Sequence, residues 1–223
     1  MNLALFDLDH TLLPIDSDYE WGQFLARIGA VDAVAFEQRN AQFFVQYQDG
    51  TLNQLEYLDF ALGTLARFSR LQLDALHLQF MHDIIEPAIR PSATDLLQRH
   101  QDAGDLVCIV TATNRFVTAP IAQALGVAHL LAAEPELAAD GAVTGKLIGV
   151  PTAGVGKITH TTAWLAAMDK TLAQFDKSYF YSDSHNDLPL LSVVTHPVAT
   201  NPNAKLAAHA AAHDWPILKL FHD

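Results

Sequence analysis

The stretch Asn2-Leu3-Ala4-Leu5-Phe6-Asp7-Leu8-Asp9-His10-Thr11-Leu12 decides how this chain folds. An apolar run that stops at two aspartates spaced i, i+2 reads as a buried parallel strand. It delivers acidic groups at its carboxyl end, the edge on which open α/β sheets bind their ligands. Taken alone, Asp7 and Asp9 fit a metal site, a nucleophile with a general acid, or the polar turn chemistry common at strand ends. The rest of the chain has to choose among these.

Downstream the pattern changes character. From Asp16 to about Glu86 the apolar residues recur at helical spacing, as in Trp21, Phe24, Leu25 and Ile28, with no strand interrupting them. Asp16-Ser17-Asp18 is a helix-start signal, and Gly29, Gly50 and Gly63 punctuate the run. The expectation is a bundle of about four helices inserted after the first strand. Beyond Pro87 and Pro91 helices alternate with strands: Leu106 to Val110, a strand near Leu130 to Ala133, a hairpin over Glu136 to Ile148 turning at Asp140-Gly141, Tyr179 to Tyr181, and Val193 to Ala199. That alternation predicts an α/β fold with a doubly wound parallel sheet. The domains are then an α/β core of residues 1–14 plus 88–223 and a helical insert of residues 15–87.

Composition narrows the function. With 223 residues, half of them apolar, the chain can bury a substantial core. Its net charge of −12 argues against nucleic acid or an anionic membrane as partner and for a small ligand. One cysteine, Cys108, sits in an apolar run and reads as a buried thiol. The opening has no basic leader, and no apolar run approaches the roughly 18 residues that span a bilayer, so the expected setting is the cytoplasm. The histidines, His209, His213 and His222 among them, lack metal-site spacing with acids or cysteines and read as surface or core residues.

Three strands stop in polar groups: Asp7 and Asp9 after the first, Thr111 and Thr113 after the second, and Asp183, Asn186 and Asp187 after a later one. In a parallel sheet these ends share one edge, and their convergence points to a site. Lys157 opens a helix behind Gly154 and Gly156, where free backbone N–H groups and the helix dipole suit a phosphate. A nucleotide P-loop does not fit, because the upstream glycine is missing and Ile158 stands where Ser or Thr is required.

These residues together resemble the haloacid dehalogenase superfamily, in its phosphoserine-phosphatase-like branch with a helical cap after the first strand. Asp7-Leu8-Asp9-His10-Thr11-Leu12 resembles its first motif, Thr111 its second, Lys157 its third and Asp183-Ser184-His185-Asn186-Asp187 its fourth. Asp16-Ser17-Asp18, Trp21, Phe43-Phe44 and Gly50-Thr51-Leu52 resemble a bacterial subgroup that includes histidinol-phosphatases. The resemblance implies a phosphomonoesterase in which Asp7 is the nucleophile and Asp9 the acid and base. Mg²⁺ would be held by the Asp7 and Asp183 carboxylates and the main-chain carbonyl of Asp9. It further implies that Thr111, Ala112, Lys157 and Asn186 bind phosphate and that Asp187 acts one step out.

For the substrate, the resemblance assigns Asp16 to an amine and the Asp59 position to the carboxylate grip of a phosphoserine phosphatase, which normally uses arginine. Aspartate there reverses the charge and disfavours O-phosphoserine, so the expected substrate is an amino-alcohol phosphate such as L-histidinol phosphate. Glu20 and Trp21 join Asp16 and Asp59 as expected substrate contacts, and Asp18, Phe43 and Phe44 are further pocket candidates. Phosphoserine or another small phosphorylated metabolite is the alternative substrate, and a catalytically silent binding protein of the same fold is the rival from another class. A phosphoryl-receiver domain is disfavoured, since it has neither the helical insert nor the second acid.

Overall fold

Leu3–Phe6 forms β1, and none of its side chains reaches solvent. Strand side chains alternate, so Ala4 and Phe6 enter one apolar layer while Leu3 and Leu5 enter the other. Full burial of a Leu or Phe side chain is worth about 1.5–3 kcal/mol. A segment apolar on both faces gains that only inside a sheet covered on both sides.

A computed structural model of the chain describes residues 1–221; His222 lies outside them. The sheet has seven strands in the order β4-β3-β2-β1-β5-β6-β7. They are β2 Leu106–Asn114, β3 His129–Leu137, β4 Val143–Ile148, β5 Ser178–Ser182, β6 His196–Thr200 and β7 Ile217–Leu218. Every pairing is parallel except that of β3 with β4, the expected hairpin around Asp140-Gly141. The order reverses beside β1, which opens a crevice at the carboxyl ends of the central strands.

Between β1 and β2 lie α1 Ser17–Arg27, α2 Ala33–Asp49, α3 Gln54–Leu65 and α4 Arg70–Phe80, followed by a wide turn Met81–Ile85 and the short α5 Glu86–Ala88. Asp16, Asp32, Asn53 and Ser69 cap the four long helices by accepting first-turn backbone N–H groups. Trp21, Phe24, Leu25, Leu62, Leu65 and Phe80 from this insert share one apolar cluster with Ala4 and Phe6 of the sheet. Helix α3 also rests on the hairpin, where a Cβ added to Gly145 would meet the Gly63 Cα at 3.5 Å. The remaining helices are α6 Pro91–Asp102, α7 Arg115–Ala124, α8 Val155–Ala166, α9 Leu188–Leu191 and α10 Ala204–Ala212. Helices α8, α9 and α10 supply Leu165, Leu190 and Leu206 to the layer that holds Leu3 and Leu5.

Two details differ from the sequence reading. The strand expected from Val193 begins only at His196: Val193 is 48% exposed in the turn after α9, whereas Leu190, Leu191 and Val194 are buried. Strand β7, which is too short to show a period, is set by hydrogen bonds from Ala199 N to Pro216 O and from Asn201 N to Leu218 O. Cys108 is fully buried in β2. Among the described residues no helix is long and apolar enough to cross a membrane.

Candidate active site

Sheet register brings the polar strand ends together. Leu3–Phe6 pairs with Leu106–Ile109 on one side and Ser178–Tyr181 on the other, so Asp7 emerges level with Val110 and Ser182, one residue before Thr111 and Asp183. After Asp9, His10 adopts a left-handed φ of 56°. The amides of Thr11, Leu12 and Leu13 then all turn onto the Leu8 carbonyl at 3.2, 2.8 and 3.0 Å. This tight loop holds Asp9 beneath α1, where its two carboxylate oxygens accept the Ser17 amide at 2.7 Å and the Thr113 hydroxyl at 2.8 Å.

Lys157 stands in the first turn of α8. Only glycine fits at 156, because a Cβ there would lie 2.0 Å from the Pro151 carbonyl oxygen. The buried Lys157 ammonium donates to Asp7 at 2.8 Å and to Asp187 at 2.7 Å, and Asp187 also accepts the Ser182 hydroxyl at 2.7 Å. Asp183 is fixed from the other side: its amide donates to the Thr11 hydroxyl oxygen at 3.0 Å, and Thr11 donates to its carboxylate at 3.3 Å.

The electrostatics follow from burial. Desolvation pushes Asp7 up to about 7, against the pull of Lys157 and with the push of Asp187. Burial and the neighbouring Asp16 raise Asp9 to about 6, although its hydrogen bonds oppose the rise. Burial, then Asp7 and Asp187, hold Asp183 well above the carboxylate range. For Lys157 burial alone would lower the amine, but Asp187 and Asp7 overcome it and keep the group charged.

Three buried carboxylates, Asp7, Asp183 and Asp187, thus face one ammonium. One ammonium leaves negative charge over among the three acids, and the Asp7 and Asp183 carboxylates offer hard oxygen donors, the donor chemistry that suits Mg²⁺. Among the described residues no three His, Cys, Asp or Glu side chains gather as a metal centre. An ion here would draw on two carboxylates, and the oxygens of Asp9 already engaged by Ser17 and Thr113 leave only its main-chain carbonyl to contribute.

Above the strand ends the insert encloses a narrow cavity of about 80 Å³. Its floor carries Asp7, Asp9, Thr111, Ala112, Lys157, Asn186 and Asp187, and its upper wall carries Asp16. Asp183 lines an adjoining opening with His10 and Asn201. The structure therefore gathers these sequence candidates in one place. It does not gather the other three. Trp21 is 4% exposed and packs against His77, Phe80 and Phe116 in the apolar core, because helix α1 turns that face inward. Glu20 lies off the cavity in the first turn of α1. Asp59 is solvent-exposed on α3, since the cavity face of that helix is set by Gln54 and Tyr57. A residue two positions beyond Tyr57 is rotated by about 200° around a helix.

Residues without a place in the sequence reading complete the wall: Asn40 and Tyr47 from α2, and Gln54 and Tyr57 from α3. Their signal was a polar group at helical spacing among aromatics, seven apart for Asn40 and Tyr47 and three apart for Gln54 and Tyr57, which is indistinguishable from a packed bundle face in sequence. Phe43, Phe44 and Asp18, by contrast, do line the cavity. The end of α2 rests on the loop after β5 and on α10: Asn186 Nδ2 reaches the Tyr47 carbonyl at 3.5 Å, the His185 ring lies against Gly50, and Lys205 Nζ of α10 donates to the Asp49 carbonyl at 3.2 Å.

A family model described as haloacid dehalogenase-like hydrolase matches residues 4–192. A histidinol-phosphatase of Neisseria meningitidis serogroup C (strain 8013) is 44% identical over 217 residues, covering 97% of this chain and 98% of the relative. A phosphoserine phosphatase of Mycobacterium tuberculosis (strain ATCC 25618 / H37Rv) is 33% identical over 96% of this chain and 69% of its own length. The crystal structure of a protein of unknown function from Bordetella pertussis Tohama I superposes with a TM-score of 0.94 at 48% identity, over 99% of both chains.

Proposed function

The chain belongs to the haloacid dehalogenase-like hydrolase family and is a phosphatase, and from that premise we propose that it is a Mg²⁺-dependent phosphomonoesterase working through a phospho-Asp7 intermediate on a small amino-alcohol phosphate, L-histidinol phosphate. One observation carries the substrate class. Among the described residues lining the cavity, Lys157 is the sole cation, and it is taken by Asp7 and Asp187, while the far wall presents Asp16 and Asp18. A substrate carboxylate would meet only negative charge there, whereas an ammonium or imidazole group finds acceptors. Arg39 pairs with Glu56 and stacks over Phe43, and Arg67 is exposed, so neither arginine lines the cavity. The 44% identity to a histidinol-phosphatase favours the same substrate.

In the first step a carboxylate oxygen of Asp7 bonds to phosphorus as the phosphorus–alkoxide bond breaks, and Asp9 gives its proton to the leaving oxygen. Held by the Ser17 amide and the Thr113 hydroxyl, Asp9 then takes a proton from the water that attacks the phospho-Asp7 phosphorus, which releases inorganic phosphate and restores both acids. The Thr111 hydroxyl, the Ala112 amide and Lys157 hold the phosphoryl oxygens. The Asp7 and Asp183 carboxylates and the Asp9 main-chain carbonyl would hold Mg²⁺, which would supply positive charge to offset the repulsion between these acids and a phosphate dianion. Residues 15–87 act as the cap that excludes bulk water.

The test is phosphate release from histidinol phosphate, O-phosphoserine and an activated aryl phosphate, each with Mg²⁺ and with excess chelator. Metal-dependent release with a clear preference for histidinol phosphate is expected; a preference for O-phosphoserine would overturn the substrate, and release unaffected by chelation would overturn the metal. Asp9→Asn removes leaving-group protonation, so it should slow the alkyl ester by about 10²–10⁴-fold and the aryl ester, whose alcohol leaves readily, distinctly less. Equal losses on the two esters would count against the acid role.

A further inference from the structure

We propose that Asp18, held in place by Tyr57, is the residue that selects the substrate's distal nitrogen base, so that the enzyme discriminates a phosphorylated amino alcohol bearing an imidazole from one bearing the amine alone. This rests on the reading of the cavity as an amino-alcohol phosphate site. Asp18 is 7% exposed, lines the cavity and sits in the first turn of α1. One carboxylate oxygen accepts the Tyr57 hydroxyl at 2.7 Å, and the other receives only a long bond from Asn114 Nδ2 at 3.4 Å. No Lys, Arg or His among the described residues forms an ion pair with it. A buried carboxylate without a cation retains an unmet demand for one.

Position decides which substrate group meets that demand. Asp18 is tied to Tyr57 of α3 on the insert, whereas Asp7 is tied to Lys157 on the cavity floor and Asp9 to the Ser17 amide between them. The acids therefore run from Asp7 at the phosphate, through Asp9 at the leaving oxygen and Asp16 beside it, to Asp18 at the remote end. Burial, with Asp16 and Asp9, raises Asp18 to about 7. Asp16 Oδ1 already accepts the Asp18 and Tyr19 amides, which turns its other oxygen toward a near amine. Around the cavity Tyr19 and Phe44 lie with ring centroids 5.3 Å apart, a surface on which a flat cationic ring packs favourably. Tyr57 comes from α3 and Asp18 from α1, so the pair forms only when both helices are in register over the strand ends.

The discriminating measurement is kcat/KM for histidinol phosphate and for ethanolamine phosphate, which shares the phosphoester and amine but lacks the ring, using the Mg²⁺-loaded enzyme. Wild type should favour histidinol phosphate. Asp18→Asn, which keeps shape and removes charge, should shrink that preference about tenfold or more, chiefly through KM for histidinol phosphate. Asp18→Glu should retain most of it. Tyr57→Phe should give a smaller loss in the same direction and serves where Asp18→Asn does not fold. A preference unchanged in Asp18→Asn and Tyr57→Phe overturns this assignment alone, whereas a wild type with no preference for histidinol phosphate overturns it together with the substrate reading.

Discussion

Replacing Asp7 with asparagine is expected to lower metal-dependent phosphate release by at least about 10⁴-fold, the scale seen when a covalent nucleophile is removed. The substitution is nearly isosteric, and its amide oxygen can still accept the Lys157 hydrogen bond that the carboxylate takes at 2.8 Å. What it loses is the anionic oxygen that would attack phosphorus. The fold should persist, because Asp7 enters the sheet edge as a desolvated acid whose charge the surroundings disfavour. Circular dichroism and thermal melting therefore separate lost chemistry from lost structure. Acid quench of the wild type during turnover should trap a phosphoryl group on the peptide carrying Asp7, and the variant should trap none. A folded Asp7→Asn enzyme with wild-type turnover would remove the nucleophile from this account.

Lys157→Ala should do two kinds of damage. It removes a cation that would bind the transferring oxygens, which is expected to slow turnover by about 10²–10³-fold. It also leaves Asp7 and Asp187 buried without their shared partner, a loss of about 3–5 kcal/mol. For a chain of this length that lowers the melting temperature by about 2–4 °C per kcal/mol. The stability deficit has a defined pH dependence. Asp7 already titrates near 7 with the ammonium present, above its ordinary value of 3.8, and without it the folded state prefers the protonated acid still more. An acid with a raised folded pKa makes the folded state bind more protons than the unfolded one, so its penalty is largest above the folded pKa and relaxes as pH falls toward the unfolded value. Melting curves of variant and wild type should differ most near pH 8 and converge toward pH 5. A gap independent of pH would mean the ion pair is not its source.

The strand ends were legible because two periods agree: a run buried on both faces demands a central parallel strand, and the polar residues that stop it must then emerge at one edge. Asp7, Thr111 and Asp183 needed nothing more than that. The helical wall was harder. Asp59 rests on the family resemblance alone, and a helix rotates each residue by about 100°, so a small slip in register moves a side chain from the cavity to solvent. Tyr57 and Gln54 hold the face that Asp59 was expected to hold. Trp21 and Tyr47 carry the same aromatic signal at helical spacing. One became core and the other cavity wall, because only tertiary packing tells which side of a helix meets the sheet. The late strand was read too early for a related reason: Leu190, Leu191, Val193 and Val194 form one apolar stretch, and a single turn of helix within it leaves no period to detect.

The end of α2 has a consequence for the rhythm of turnover. It is pinned to the core by Asn186 on the Tyr47 carbonyl, Lys205 on the Asp49 carbonyl and the His185 ring beside Gly50. Each polar contact contributes about 0.5–1.5 kcal/mol net, so the two hydrogen bonds together add about 1–3 kcal/mol to the apolar packing that seats α2. Because Asn186 belongs to the same short loop as Asp183, whatever occupies the phosphate end also pulls on the latch. The edge of the insert and the loop that carries Asp183 are in this way one mechanical unit, joined through Asn186.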